Sequence, residues 1–297
     1  MLPLMSVQLK GRREARGLSQ EMAAERLGVD KDTVSRWERG KNRPVGVAVL
    51  GAIKAVYGVS QAELDDWFSE WSMKRVRESD RYFVRGHEFL ASSGMDEVDL
   101  VEKIIELDIS MIPSLTAIDE GSVEQWVPIF SASPLTWKLL TYAGNIVGYW
   151  HYVCLKDQYF EQVKSGALRD SKINAHMLDF PCFLNPAKSY KMYVTMIGVH
   201  NAHQFFGPGG KLINSFIREI ERAAENGLFF SEFASVAYTP QGESLCKNFG
   251  LERIGQLRSP DHNSMAEIFH STGEQIVRKG HASKIPGLVR AYKERFR

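Results

Sequence analysis

Leu18-Ser19-Gln20-Glu21-Met22-Ala23-Ala24-Glu25-Arg26-Leu27-Gly28-Val29-Asp30 is the stretch whose reading decides the first part of the fold. Ser19 can cap a helix through its hydroxyl, and Met22, Ala23 and Leu27 are expected to form that helix's apolar face. Ala24 has so little bulk that a second helix can cross close by. Gly28 suits the left-handed position of a tight inter-helix turn. Asp30 then caps a second helix, predicted over Lys31–Arg39, and Gly40 stops it. Val34 and Trp37, three apart, face inward, which leaves Lys31, Asp32, Thr33, Ser35 and Arg36 on the outer face. A short helix with polar residues outward at its N-terminal end has the shape that reading a major groove requires.

Working outward, a chain of 297 residues is long for one compact domain and predicts two. Hydrophobic residues at 44% and charged residues at 25% can fill ordinary cores. A net charge of +1 requires that any nucleic acid be met by a local basic face. Cys154, Cys182 and Cys246 are widely spread and lack a CxxC pair, so neither a metal site nor a disulfide framework is expected. Met1–Met5 is too short for a signal segment, and Ile146–Leu155 is too short to span a bilayer. The chain is expected to be cytoplasmic, with no membrane partner and no metal.

The first stretch resembles the lambda-repressor-like (XRE) family of helix-turn-helix domains. The likeness rests on Leu18–Gln20, on Ala24 and Gly28, and on the run Ser35-Arg36-Trp37-Glu38-Arg39-Gly40-Lys41, and it continues through Leu50, Ile53 and Val56. It implies double-stranded DNA as partner, with Gln20, Lys41 and Arg43 at phosphates. Lys31, Asp32, Thr33 and Arg36, with Ser35 beside them, would sit over base edges. Phosphate contacts set position and salt dependence, and base contacts set sequence preference.

The expected organisation is a helix-turn-helix domain over 1–70, a basic linker or connecting helix over 71–95 and a larger domain over 96–275. A basic tail over 276–297 follows, with Arg278, Lys279, Arg290, Lys293, Arg295 and Arg297. Within the larger domain, Asp99–Asp108 and Glu120–Phe130 read as helices, and Trp137–Tyr142 with Ile146–Val153 as a hairpin. No clear period marks Lys156–Lys188, where His176, Asp179 and Cys182 make no metal-ligand spacing. Lys191–Val199 reads as a strand, Lys211–Ala224 as a helix, Phe229–Ala237 as a strand, Gly242–Asn248 as a short helix and Met265–His270 as a last strand. Tyr149, Trp150 and Tyr152 read as sheet packing. The whole predicts a multi-domain chain: an all-α bundle, then an α/β (α+β) mixed-sheet domain.

The most informative later segment is Gln204-Phe205-Phe206-Gly207-Pro208-Gly209-Gly210-Lys211, between the strand ending at Val199 and an amphipathic helix. Amides exposed at a helix start can hold a phosphate, and glycine lets the anion come close. The GK[ST] ending of a Walker loop is absent. The segment resembles the acyl-CoA-binding turn of the GNAT acyltransferases, Gln/Arg-x-x-Gly-x-Gly/Ala. The surrounding element order of Asp96–Ser271 fits that family too.

The resemblance implies acetyl-CoA or another acyl-CoA as cofactor. The implied set is Ile197 and Val199 on the strand with Gln204, Phe205, Phe206, Gly207, Gly209 and Gly210 in the turn. Two departures stand out. Pro208 removes one amide from the turn. Cys246 occupies the place of the family's general-acid tyrosine, in Leu245-Cys246-Lys247-Asn248-Phe249-Gly250. Cys246 as acid and Glu232 or His200 as base are the candidates by location.

Three functions fit. The first is a sequence-specific transcriptional regulator whose GNAT-like domain binds a thioester. The second is an active N-acyltransferase on a protein or aminoacyl substrate, with an autoregulatory DNA-binding half. The third is a degenerate domain serving dimerisation alone. A homodimer is expected in each, since two half-sites about one helical turn, ~34 Å, apart match a two-fold protein.

Overall fold

The computed structural model describes residues 4–112, 115, 120–179, 189–258, 265–279 and 286–295, without side chains at 72–78, 205–206, 258, 265, 279 and 295. The chain divides into two compact units: Met1–Tyr82 with Ala202–Pro208, and Phe83–Asn201 with Gly209–Arg297.

The first unit is helical, with α1 (Leu4–Ala15), α2 (Gln20–Leu27), α3 (Lys31–Glu38), α4 (Val47–Tyr57) and α5 (Gln61–Ser79). Local chemistry sets the α2–α3 corner. The Ser19 hydroxyl accepts from the Met22 amide, and Gly28 closes α2 at φ +67°. The Asp30 carboxylate accepts from the Thr33 amide at the start of α3, and Gly40 takes φ +71° just beyond its end. Leu9, Ala23, Leu27, Val34, Trp37 and Ile53 form the core of this bundle. One expected core residue is elsewhere: Met22 is 44% exposed, and Ala24 takes its place on the buried face of α2. With a repeat of 3.6 residues, the stripe that carries Ala23 and Leu27 also runs through Ala24.

The second unit is a mixed α/β domain. Its described elements are β1 (Tyr82–Arg85, whose first residue belongs to the first unit), α6 (Glu88–Ser93), α7 (Glu97–Met111), α8 (Val123–Ala132), β2 (Trp137–Tyr142), β3 (Asn145–Cys154), α9 (Asp157–Lys164) and β4 (Ser189–Val199). After these come α10 (Pro208–Glu225), β5 (Phe229–Ala237), α11 (Pro240–Asn248), β6 (Glu252–Arg258), β7 (Met265–Thr272), α12 (Gly273–Lys279) and α13 (Pro286–Arg295). The strands form one sheet in the order β1-β2-β3-β4-β5-β7-β6.

Pairs β2–β3, β3–β4, β5–β7 and β6–β7 are antiparallel, while β4 and β5 run parallel. The parallel pairing extends from Ser189↔Phe229 to Val194↔Ser235 and goes no further, although β4 continues to Val199 and β5 to Ala237. The two strands therefore part. A register shift against β3 falls at the same level, with His151 opposite Met196 and Tyr152 opposite Val194, so Thr195 is an extra residue in β4. Helices α7 and α8 cover one face of the sheet through Leu100, Ile104, Phe130 and their neighbours. On β3, Trp150 and Tyr152 alternate with Tyr149 and meet Phe216 of α10.

The region expected as a linker or connecting helix is largely regular structure: α5 continues to Ser79, and β1 and α6 follow it. The expected basic tail is also built into the domain. Leu288, Val289 and Tyr292 of α13 are buried, and the Tyr292 hydroxyl accepts from the Phe230 amide at 3.0 Å. Its cationic residues dominated the reading of this segment and concealed an apolar stripe.

Candidate functional site

In the first unit α3 presents Lys31, Asp32 and Arg36 to solvent, with Thr33 and Ser35 half-buried beside them. Lys31 pairs with Glu21 of α2. The Arg36 guanidinium donates to Thr33 Oγ1 at 3.2 Å, and that hydroxyl donates to Asp30 Oδ2 at 2.9 Å. The outer face is thus pre-ordered by its own cap.

Behind it lies an interaction that the sequence reading did not find. Arg13 of α1 donates from Nε to Glu38 Oε1 at 2.6 Å and from a terminal nitrogen to Glu38 Oε2 at 3.1 Å, and it also reaches the Leu18 carbonyl at 2.7 Å. Gln20, expected at a phosphate, donates to the same Glu38 carboxylate at 2.8 Å. Glu38 therefore ties α1 and α2 to α3. After α3, burial and the neighbouring charges of Arg39 and Arg36 push the Lys41 ammonium below the usual lysine value. An approaching phosphate would relieve that repulsion. Arg43 lies over the Phe68 ring at 4.9 Å.

Residues 4–67 match the family model for a helix-turn-helix domain. The bundle described above is that domain, and α3 is its second, recognition-type helix.

In the second unit Ile197 is half-buried and Val199 buried, both on the length of β4 that has left β5. Side chains are excluded where β3 and β4 run closest: a Cβ on Gly148 would lie 2.5 Å from the Gly198 carbonyl oxygen. Beyond β4, Asn201–Phe206 forms one 3-10 segment containing Gln204, Phe205 and Phe206, and Gly207 follows at φ +78°. Pro208 is the first residue of α10, a position whose amide has no partner inside a helix. The proline therefore costs the helix no hydrogen bond. Gly209 and Gly210 form its first turn, and a Cβ on either would meet nothing within 4 Å among the described residues.

Cys246 is buried on α11, and Glu232 lies on β5 among cationic side chains. Burial pushes the Cys246 thiol up to about 11, despite a hydrogen bond with Ser235, so the thiol stays protonated at neutral pH. Burial raises Glu232 as well, but hydrogen bonds from Lys191, His270 and Lys164 outweigh it and hold the carboxyl at about 2. Those partners lie at 2.9 Å, 2.7 Å and 3.1 Å. A carboxylate so neutralised is a weak base. His200 donates its backbone amide to Val147. Cys182 lies outside the described residues.

The second unit instead carries an acidic group that the sequence reading passed over. The Tyr149 hydroxyl donates to Asp108 of α7, and the Tyr193 hydroxyl donates to Asp170. Glu120, just before α8, faces Asp108, and its carbonyl accepts from the Trp126 indole at 2.8 Å. Burial raises both carboxyls, and each is raised further by Asp170. Tyr149's hydroxyl favours the ionised form of Asp108, so the pair's proton rests on Glu120. A clue was present in the sequence: Asp108 follows Ile104 by four residues and occupies the buried stripe of α7. Among the described residues no three His, Cys, Asp or Glu are grouped to hold a metal, and no single helix is long and apolar enough to cross a membrane.

The element order expected from the GNAT resemblance, two helices, a hairpin, strand–turn–helix, strand, short helix and a last strand, is observed with two additions, α9 (Asp157–Lys164) and β6 (Glu252–Arg258). No curated protein sequence matches the chain. Solved structures similar to it include Naa50 of Arabidopsis thaliana in complex with a bisubstrate analogue, at 14% identity over 65% of this chain and 99% of that one, with a TM-score of 0.39. The loading GNATL domain of CurA from Lyngbya majuscula matches at 10% identity over 64% and 97%, with a TM-score of 0.42. The ribosomal-protein-S18-alanine N-acetyltransferase of Escherichia coli matches at 10% over 64% and 93%, with a TM-score of 0.38. These likenesses are distant, and the description of the second unit rests on its own strand order.

Proposed function

We propose that this chain is a sequence-specific, DNA-binding regulator of transcription whose GNAT-like domain binds acetyl-CoA or a related acyl-CoA. The observation that carries the reading is α3 itself, capped by Asp30, backed by the Arg13–Glu38 pair and exposing Lys31, Asp32 and Arg36. It acts as a cytoplasmic homodimer on double-stranded DNA, with Gln20, Lys41 and Arg43 near phosphates and Lys31, Asp32, Thr33 and Arg36, with Ser35 beside them, near base edges. For the cofactor, support comes from the parting of β4 and β5 and from the absence of side chains at Gly209 and Gly210 in the first turn of α10. Ligands of parallel sheets bind where such strands diverge, and phosphates bind at helix starts.

A second reading, N-acyltransferase activity on an amine, is favoured by the buried acids beneath α7 and not by Cys246 or Glu232. The experiment is a pair of titrations on the full-length protein. Genomic fragments at low ionic strength are expected to give a discrete retarded complex, and acetyl-CoA is expected to give saturable heat in calorimetry. Absence of retardation with folded protein would remove the regulator. Absence of heat would remove the thioester.

A further inference from the structure

Where β4 leaves β5, each strand keeps its other partner. Strand β4 stays paired with β3 as far as Val199↔Gly148, and β5 stays paired with β7 as far as Ala237. Thr195, the extra residue of β4, is the first beyond the last β4–β5 pair. Its hydroxyl donates to the His151 carbonyl at 3.2 Å and lies 2.7 Å from His151 Nδ1. A hydroxyl carries a single proton, so both contacts are hydrogen bonds only if Nδ1 is the protonated nitrogen. His151 is 1% exposed, with its ring stacked on Phe130 at 4.3 Å and edge-on to Trp126 of the same helix, α8. Nε2 is buried, and among the described residues it has no hydrogen-bond partner. A second proton would sit beside aromatic rings without an acceptor, and burial holds the imidazole down at about 3. The tautomer that serves Thr195 is locked.

Resting on the acyl-CoA reading of this unit, we propose that His151 and Thr195 are positioning residues of the thioester site. Their two hydrogen bonds hold the extra residue of β4 to β3 and so keep the gap between β4 and β5 open. An acyl-CoA is a long molecule with its phosphates toward one end. With those at the start of α10, the remainder runs back along β4 into the gap, whose closed end is at Thr195. Without the Thr195 hydroxyl, β4 is released to lose its extra residue's bulge and to continue pairing with β5 past Val194, which fills the ligand's place.

The test uses the full-length protein and two readouts. In nitrogen NMR of histidine-labelled protein, the His151 signals are identified by their loss in His151→Asn. They are expected to show a protonated Nδ1 and a bare Nε2, unchanged between about pH 6 and 8. In calorimetry with acetyl-CoA, Thr195→Val, which keeps the shape and removes the hydroxyl, should weaken binding by roughly 10-fold. Thr195→Ser, which keeps the hydroxyl, should bind as wild type does, with folding of each variant checked by circular dichroism. A proton on Nε2, or a folded Thr195→Ser as weak as Thr195→Val, would overturn the assignment. Heat from acetyl-CoA with equal affinity in wild type and Thr195→Val overturns this inference alone, whereas silence from wild type removes the acyl-CoA reading together with it.

Discussion

Glu38 in the helix-turn-helix domain and Glu120 in the second unit are both taken almost out of water, at 5% and 8% exposed, and their surroundings are opposite. Glu38 meets a guanidinium in a two-point pair and a glutamine amide besides. Glu120 meets another carboxyl. The first arrangement has each buried charge answered by a donor, which is what a rigid scaffold for groove reading needs. The second leaves an electrostatic demand inside the domain, and unmet demands of this kind cluster at functional sites. Glu232 provides a third case within the same unit, a carboxylate answered by two lysines and a histidine, and it behaves like Glu38.

Glu38→Ala should produce the largest effect, because it leaves Arg13 without its carboxylate between three helices. A loss of about 3 kcal/mol is expected in urea unfolding of the first unit, with DNA binding lost in parallel. A loss below half of that would mean that solvent already answers the arginine.

Glu120→Gln should do the opposite. Since the folded-state value of Glu120 is raised above 4.5, its contribution is fully present below that pH and is lost as pH rises. The variant escapes this loss, so it should match wild type near pH 4 and exceed it by about 1–3 kcal/mol by pH 8. A pH-independent gap between variant and wild type would break the contrast with Glu38.

Glu232→Gln sharpens it from the other side. Its folded-state value is depressed, to about 2, so its contribution exists above 4.5 and disappears as pH falls toward 2. A destabilisation of about 1–2 kcal/mol at pH 7, shrinking on acidification, is expected from the loss of charged hydrogen bonds. Smaller again are the effects of single side chains on DNA. Arg36→Ala should relax sequence preference, whereas Lys41→Ala should weaken all duplexes alike and lower the salt slope by about 1. Equal losses on every sequence from Arg36→Ala would remove its base-reading role. Cys246→Ser tests the acid assignment: a fall in any turnover is expected if the thiol, held protonated at about 11, supplies the proton, and unchanged turnover would exclude it.

Much of this could be read without coordinates. Ser19, Gly28, Asp30 and Gly40 act on neighbours within a few residues, so the α2–α3 corner was legible from local chemistry alone. The hairpin and β5 were equally legible from alternation. Elements with weak local patterns were not: β1 is four residues long, and β6 carries three charged residues and a glycine among seven, with no clean alternation. The burial of α13 is not legible locally, because the partner of Tyr292 lies some sixty positions away in β5.

The same division runs through the sites. Sequence determined where helices start and stop, which residues face outward on α3, and that a glycine-rich turn joins β4 to α10. All of these follow from bonds spanning three or four residues. Tertiary structure decided which charges are answered. Arg13 and Glu38 are 25 positions apart and Tyr149 and Asp108 are 41 apart. No local rule couples residues at such distances; packing alone brings them together, and the dielectric of the interior then determines what each carboxyl can do.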